Sequence, residues 1–224
     1  MIIFNMHKTV QNLLDIKNNI KNHLNKLNIN SNPKIVAVSK TFKIDNISPL
    51  IEYGHIDYGE NKVQEALEKW TEVKKRNPNI RLHMIGKLQS NKVKFAVKIF
   101  DYIHSVDSEK LAKKIVDEQN KINKKIKIFL QVNIGDENQK SGINKNYINQ
   151  LVSYSKEIGL NVIGLMCIPP INVDPEEHFA EMKKINTDLG FSELSMGMSS
   201  DYLTAVKYLS TYVRVGSSIF GQRS

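Results

Sequence analysis

One lysine, Lys40, follows a short apolar run, Ile35–Ser39, that has the composition of a buried β-strand. At the end of a strand, apolar walls and nearby cations would favour the uncharged amine, which can attack an aldehyde and form a Schiff base. A surface lysine that merely follows a strand explains the position equally well. Lys40 is therefore a candidate for covalent binding of an aldehyde, to be weighed against its surroundings.

Two serine-containing loops near the carboxyl terminus have the residue types of an anion site. They are Met196-Gly197-Met198-Ser199-Ser200-Asp201 and Gly216-Ser217-Ser218. In the first loop, Ser199 or Ser200 is expected to cap the following helix, so that free backbone N–H groups of that helix face an anion. In the second loop, Gly216 permits close approach of the backbone and Ser217 adds a hydroxyl donor. An ordinary cap and an ordinary turn are the alternative, but two such loops at one corner favour a phosphate site.

Four further residues stand near predicted strand ends and are candidate ligands of the same site. Arg214 lies within a predicted strand, and a buried arginine needs an acceptor, either a carboxylate of the protein or a ligand. Asn61 and His83 are predicted to face the same end, although Asn61 also fits a helix cap and His83 also fits a structural histidine. Met196 opens the first serine loop. The six histidines show no metal-ligand spacing, and no serine–histidine–acid order stands out.

Short β-rich runs alternate with longer amphipathic stretches along the chain. The predicted strands are Ile35–Ser39, Ile56–Gly59, Arg81–Ile85, Tyr102–Ser105, Lys127–Asn133, Asn161–Met166, Glu193–Ser195 and Tyr212–Val215. The predicted helices are Val10–Leu27, Val63–Arg76, Lys92–Ile99, Ser108–Asn120, Lys145–Ile158, Pro175–Leu189 and Asp201–Tyr208. About eight β/α units favour a single (β/α)₈ barrel domain over residues 1–224, with an extra helix at its amino terminus. An open Rossmann-like sheet is the alternative, but no glycine-rich nucleotide fingerprint follows the first strand.

The barrel would bring the candidate residues to one place. In this architecture the active site lies at the carboxyl ends of the strands, and the loops after strands seven and eight commonly bind phosphate. Lys40 follows the first predicted strand, and the two serine loops follow the seventh and eighth. The sequence therefore predicts one convergent site for an aldehyde and a phosphate.

Composition argues against several other classes of function. Lys and Arg number 32 against 23 Asp and Glu, a net charge of +9, but the lysines are scattered and few aromatics stand beside them. This favours a solvated basic surface over a nucleic-acid-binding face. The only cysteine, Cys167, cannot form an intrachain disulfide, so a reducing compartment is expected. Because no run reaches about 18 apolar residues and the first residues show no secretory pattern, a cytoplasmic protein without membrane contact is predicted.

Five motifs, in this order along nearly the whole chain, resemble those of the pyridoxal 5′-phosphate homeostasis protein family. They are Ala37-Val38-Ser39-Lys40-Thr41, Gly59-Glu60-Asn61-Lys62-Val63-Gln64-Glu65, His83-Met84-Ile85-Gly86-Lys87-Leu88-Gln89-Ser90-Asn91-Lys92, Ser195-Met196-Gly197-Met198-Ser199 with Asp201, and Val213-Arg214-Val215-Gly216 leading to Ile219-Phe220-Gly221. The resemblance implies an alanine-racemase-type barrel without the second β domain. It implies Lys40 as the cofactor lysine and Arg214 near the pyridine nitrogen. The phosphate ligands that it implies are Ser199, Ser200, Gly216 and Ser217.

The resemblance predicts a protein that holds and releases pyridoxal 5′-phosphate and runs no fast reaction of its own. Fast carbanion chemistry on this cofactor needs a protonated ring nitrogen, which a cationic Arg214 would disfavour. An amino-acid racemase is the alternative, although no second base opposite Lys40 can be assigned, and a basic RNA-associated protein is a third. A monomer is expected, with apo-enzymes as recipients of the cofactor. Lys140 is a candidate second lysine for transfer, and a solvated loop lysine is the alternative there.

Overall fold

The computed structural model describes residues 6–137 and 141–222. Its strands are β1 (Lys34–Val38), β2 (Asp57–Glu60), β3 (Arg81–Met84), β4 (Tyr102–Val106), β5 (Lys127–Asn133), β6 (Ile143–Asn144), β7 (Val162–Cys167), β8 (Glu193–Ser195) and β9 (Tyr212–Val215). All pairings are parallel, and they run β4-β3-β2-β1-β9-β8-β7-β5 around the molecule. A further pairing of β4 with β5 closes the ring, and the two-residue β6 extends β5.

The closed ring confirms the predicted barrel and excludes the open-sheet alternative. Each of the eight predicted strands is present with bounds within one residue of those expected. The patterning was informative because parallel barrel strands are buried on both faces and are bounded by polar turns. Because all eight barrel strands point the same way, their carboxyl ends meet at one face of the barrel.

Helices surround the barrel. They are α1 (Lys8–Lys26), α2 (Ile44–Glu52), α3 (Val63–Arg76), α4 (Val93–Ile99), α5 (Glu109–Lys121), α6 (Ile148–Glu157), α7 (Glu176–Asp188), α8 (Tyr202–Lys207) and α9 (Ser217–Phe220). The additional amino-terminal helix, α1, buries Leu13, Ile16, Ile20 and Leu24 along one face and packs against α2, α8 and α9. None of the described helices is long and apolar enough to cross a membrane.

Two helices, α2 and the four-residue α9, are absent from the sequence-based prediction. Pro49 lies inside α2, and proline removes a helical hydrogen bond, so the local sequence disfavours a helix there. The helix forms because Ile47 and Leu50, on one of its faces, are fully buried against the barrel. Tertiary burial therefore outweighs the local cost of the proline.

The barrel has two apolar layers. Outward-facing strand residues join the helices in one large core, to which Tyr58, Leu82 and Val213 belong. A smaller core fills the barrel itself and comprises Val36, Tyr102, Phe129, Met166 and Tyr212. The interior is therefore packed through its middle, and a ligand can enter only at its ends.

Candidate functional site

A cavity of about 570 Å³ opens at the carboxyl ends of the strands. Its walls come from the ends of β1, β2, β3, β7 and β9 and from the loop after β8. The lining residues are Val38, Lys40, Phe42, Asn61, Ile85, Ile168, Met198, Ser199, Ser200, Arg214, Gly216, Ser217, Gly221 and Gln222. Seven of the nine predicted ligands lie in this lining, and His83 and Met196 do not. The fold therefore brings these seven residues together around one cavity, and their role as ligands stays a prediction.

The backbone before Lys40 is held by a buried polar cluster. The Ser39 hydroxyl donates to Oε1 of Glu60 at 2.7 Å, and the ammonium of Lys69 donates to the Ser39 carbonyl at 2.9 Å. Glu60 is fully buried, and its Oε1 also accepts from Lys69 at 3.0 Å and from Nε1 of Trp70 at 2.9 Å. Burial raises the pKa of Glu60, and its three donors offset that effect only in part. Lys40 thus projects from a fixed strand end.

The backbone after Lys40 is held by the same cluster from the other side. Thr41 has φ of +69°, a conformation that is costly for a β-branched residue. Its N–H donates to Oε1 of Glu65, which also accepts from the Lys69 ammonium at 2.9 Å. The strained turn lets the chain leave β1 sharply at Lys40, and Glu65 stabilises it.

The corner predicted to bind phosphate, called the phosphate corner, is built from the loops after β8 and β9. The Gly216 N–H donates to the Ser199 hydroxyl at 3.2 Å, which ties the two loops together. A Cβ on Gly216 would lie 3.3 Å from Cβ of Val38, a tight contact that Val38 would have to relieve by shifting a few tenths of an ångström. The predicted serine cap of α8 is wrong. Asp201 is the N-cap residue, and its Oδ1 accepts from the Met198 N–H, which leaves the serines in the turn before it.

Arg214 lies at the floor of the cavity with only 4% of its surface exposed. Its Nη1 donates to the hydroxyl of Ser195 at 2.6 Å and its Nη2 to the carbonyl of Cys167 at 2.9 Å. Neither acceptor is charged, and burial lowers the pKa of Arg214. The guanidinium has five N–H donors, so donors remain for a ligand. No carboxylate among the described residues is hydrogen-bonded to Arg214, so the predicted carboxylate partner is not found and the other predicted partner is a ligand.

His83 and Met196 lie away from the cavity. His83 is fully buried in the barrel, stacked on Tyr102 with ring centroids 4.2 Å apart. Met196 is buried in the outer core between barrel and helices. Asn61 does line the cavity, but Lys62 and not Asn61 is the N-cap residue of α3. A role of His83 or Met196 at the site would have to be indirect.

Cys167, Lys140 and metal binding are the remaining points of the sequence analysis. Cys167 is fully buried, and burial raises its pKa to about 12, so it behaves as a small apolar residue. Lys140 lies outside the described residues. Among the residues that the structure does describe, no group of three or more His, Cys, Asp or Glu side chains could hold a metal ion.

Four residues that sequence reasoning missed support the site from behind. Glu60 and Lys69 fix the segment around Lys40, and Ser195 and His104 contact Arg214 directly or through one another. Glu60 and Ser195 stand inside quoted motifs, so their motif positions were the available signal. Lys69 and His104 become visible only when helix α3 and strand β4 are packed.

The amino-acid sequence is similar to known proteins over most of its length. Residues 11–224 match the family model described as the alanine racemase N-terminal domain. The chain is 35% identical to the pyridoxal phosphate homeostasis protein of Pasteurella multocida, over 95% of this chain and 97% of the relative. It is 36% identical to the protein of the same name from Synechocystis, over 85% of this chain and 91% of the relative.

Solved structures show that the fold is also shared with proteins similar to this chain. PipY of Synechococcus elongatus without pyridoxal phosphate is 33% identical and superposes with a TM-score of 0.80 over 90% of this chain and 100% of that one. The form of PipY with pyridoxal phosphate bound gives a TM-score of 0.76. Alanine racemase of Clostridium difficile, at 16% identity, shares the fold with a TM-score of 0.73, and the match covers 57% of the racemase. This chain therefore belongs to the pyridoxal phosphate homeostasis protein family.

Proposed function

We propose that this protein binds pyridoxal 5′-phosphate in the cavity at the carboxyl end of the barrel, holds it reversibly on Lys40 and releases it to other proteins. The observation that carries the proposal is the lining of that cavity, which joins a lysine, a buried arginine, serine hydroxyls and a glycine packed closely against Val38. The bound form of PipY, a relative of the same fold, supports the choice of ligand.

The residues divide the work by chemistry. When bound, the cofactor supplies an aldehyde, which a lysine amine converts to a Schiff base with loss of water. Lys40 provides that amine from a backbone fixed on both sides. Ser199, Ser200 and Ser217 provide hydroxyl donors to the phosphate, and Gly216 leaves room for it. Release is the reverse reaction, in which water or another amine replaces the Lys40 nitrogen.

Arg214 and the lining argue for a carrier over an enzyme. Lys40 and Arg214 are the only titratable side chains among the described lining residues, so those residues supply no second acid or base opposite the lysine. Arg214 faces the ring as a donor, and a cation there disfavours a protonated ring nitrogen. Racemisation needs both features, so the fold shared with alanine racemase does not by itself imply that reaction.

Three finer points belong to the same proposal. We expect a cytoplasmic monomer, since the chain has one cysteine, which is buried, and would meet its recipients in solution. The recipients would be apo-enzymes that use the cofactor. Lys140 would assist transfer, and transfer to an apo-enzyme that is equally fast in Lys140→Ala and wild type would exclude that role.

Covalent trapping tests the proposal. Purified protein incubated with pyridoxal 5′-phosphate should gain a visible absorption band, and borohydride should fix one cofactor on Lys40, as peptide mass spectrometry would show. Lys40→Ala should lose the band with an unchanged circular dichroism spectrum. Lys62→Ala, which removes an exposed lysine close by in the fold, is the matched control and should behave as wild type. An adduct found only on a lysine other than Lys40 would overturn the assignment.

Catalysis is tested separately. In heavy water with alanine or serine, the wild-type protein should exchange the α-proton far more slowly than typical enzymes, which turn over at about 1–10³ per second. Rapid exchange that disappears in Lys40→Ala would restore the racemase interpretation.

A further inference from the structure

A continuous file of hydrogen bonds runs through the barrel from the cavity floor to the opposite face. Nη1 of Arg214 lies 2.6 Å from Oγ of Ser195, which lies 2.9 Å from Nδ1 of His104. Nε2 of His104 lies 3.0 Å from Nδ1 of His83, and Nε2 of His83 lies 2.9 Å from Oδ1 of Asp57. These five residues, the axial chain, come from five different strands and are all buried.

The chemistry of its two ends fixes the direction of every hydrogen bond in the axial chain. Arg214 can only donate, so Ser195 accepts from it and has its own proton left for His104. Nδ1 of His104 is then an acceptor and Nε2–H a donor to His83. Because Nδ1 of His83 accepts that hydrogen bond, the His83 proton lies on Nε2, which donates to Asp57. Both rings are neutral and carry their proton on Nε2.

The opposite direction fails at both ends. If Nδ1–H of His104 donated to Ser195, the serine proton would have no acceptor in the described surroundings. His83 would then present a lone pair to the Asp57 carboxylate, and two acceptors would face each other 2.9 Å apart. An unsatisfied buried polar group costs about 1–3 kcal/mol, so two such defects exclude this arrangement.

The surroundings of the axial chain also favour two neutral histidine rings and an ionised Asp57. Burial lowers the pKa of both rings, and for His104 the neighbouring His83 and the Arg214 charge lower it further. Burial would raise the pKa of Asp57, but hydrogen bonds from His83 and Arg81 outweigh it, and the pKa is lowered. The axial chain thus ends at the Asp57 carboxylate, which accepts a hydrogen bond from Arg81. Tyr102 and Phe129 pack against its two histidine rings.

We propose that Ser195, His104, His83 and Asp57 are positioning residues, which hold the Arg214 guanidinium against the cavity floor through a file of one-way hydrogen bonds. The inference rests on the proposed function, because it takes the pyridine nitrogen as the acceptor for the remaining Arg214 donors. Neutral acceptors orient Arg214 without neutralising it. The guanidinium stays a cation that can donate to the ring nitrogen, and no carboxylate is hydrogen-bonded to it among the described residues.

The first test measures which ring nitrogens of His83 and His104 are protonated, and it needs no cofactor. Long-range ¹H–¹⁵N spectra of the full-length protein at pH 7 should show His83 and His104 as neutral rings protonated on Nε2, with signals assigned from His83→Gln and His104→Gln. A ring protonated on Nδ1, or a doubly protonated ring, in either residue would overturn the proposal.

The second test reads the effect on the ligand. Ser195→Ala should weaken binding of pyridoxal 5′-phosphate by about tenfold, the loss expected for one charged hydrogen bond. It should weaken much less the binding of the analogue in which CH replaces the ring nitrogen, because Arg214 has no acceptor there. Ser105→Ala is the matched control, since Ser105 is equally buried in β4 and its hydroxyl has no hydrogen-bond partner in the described structure.

The outcomes separate the two levels of the argument. Equal weakening of both ligands in Ser195→Ala, or no weakening, would refute the positioning role even if the ring tautomers are as expected. Failure of the wild-type protein to bind the cofactor at all would instead refute the proposed function, and the ring tautomers would still decide whether the axial chain has the stated direction.

Discussion

The buried carboxylate of Glu60 allows charge and hydrogen bonding to be separated by two substitutions. Its Oε1 accepts from Ser39, Lys69 and Trp70, whereas its Oε2 is buried with no hydrogen-bond partner in the described structure. Burial raises its pKa despite these donors, so the environment disfavours the charge overall. Glutamine keeps an acceptor at Oε1 and removes the charge, whereas alanine removes the acceptor as well.

The magnitudes differ clearly between the two variants. In Glu60→Gln, the Lys69 ammonium keeps Glu65 and the Ser39 carbonyl as partners, and the desolvation cost of Glu60 disappears. Because the new amide N–H group takes the place of Oε2, which is buried without a partner, we expect a loss of about 1–2 kcal/mol in the free energy of unfolding. In Glu60→Ala, three buried donors lose their shared acceptor and a cavity is left, which should cost about 3–5 kcal/mol.

Urea unfolding at pH 7 measures both values, and cofactor occupancy of Lys40 measures the effect on the site. Occupancy should fall in Glu60→Ala, because Ser39 is released, and stay near wild type in Glu60→Gln. A raised pKa in the folded state means that stability is full below the ordinary glutamate pKa and is lost as pH rises through the folded pKa, so Glu60→Gln should remove that loss. Equal destabilisation by glutamine and alanine would refute the argument.

Two further predictions concern the phosphate corner and Asp57, the end of the axial chain opposite Arg214. Gly216→Val places a side chain about where Cβ would meet Val38 at 3.3 Å, and binding assays should show a larger loss of affinity for pyridoxal 5′-phosphate than for pyridoxal, an equal loss meaning that the phosphate lies elsewhere. Asp57→Asn should cost about 2–3 kcal/mol at pH 7, less than a fully buried pair because Arg81 is 34% exposed. Because the folded-state pKa of Asp57 is lowered, its stabilisation is lost as pH falls through that pKa, and Asp57→Asn should flatten the acid limb of the stability curve, which a pH series of thermal melts would reveal.

The barrel could be predicted from the sequence because its signals are local. A strand such as Lys127–Asn133 is an apolar run of the right length, and turns mark both of its ends. Closure followed from the number of β/α units, which leaves few other architectures. Helix α2 could not be predicted, because Pro49 disfavours a helix locally and the burial that overrides it is a tertiary effect.

The site also combines residues that local sequence signals locate with contacts that only the packed fold creates. Lys40, Asn61 and Arg214 could be located from their positions at strand ends, because the fold rule sends those ends to one face. His83 was placed at the same end from its strand, but its ring points into the packed interior and bonds to His104 and Asp57. Such contacts join strands far apart in the chain, so no spacing within one strand predicts them.

The partners chosen for Arg214 bear on selectivity as well as orientation. The described lining of the cavity contains one guanidinium, Arg214, one amine, Lys40, and no carboxylate. A phosphate monoester carries a charge of about −1.5 to −2 at pH 7, so it balances the Arg214 charge, whereas an unphosphorylated vitamer leaves that charge unbalanced. A carboxylate in place of Ser195 would orient Arg214 equally well, but it would cancel the field that attracts the phosphate. Neutral acceptors at Ser195 and Cys167 therefore satisfy the guanidinium and leave its positive charge uncompensated, which on the proposed function would favour the phosphorylated form of the cofactor.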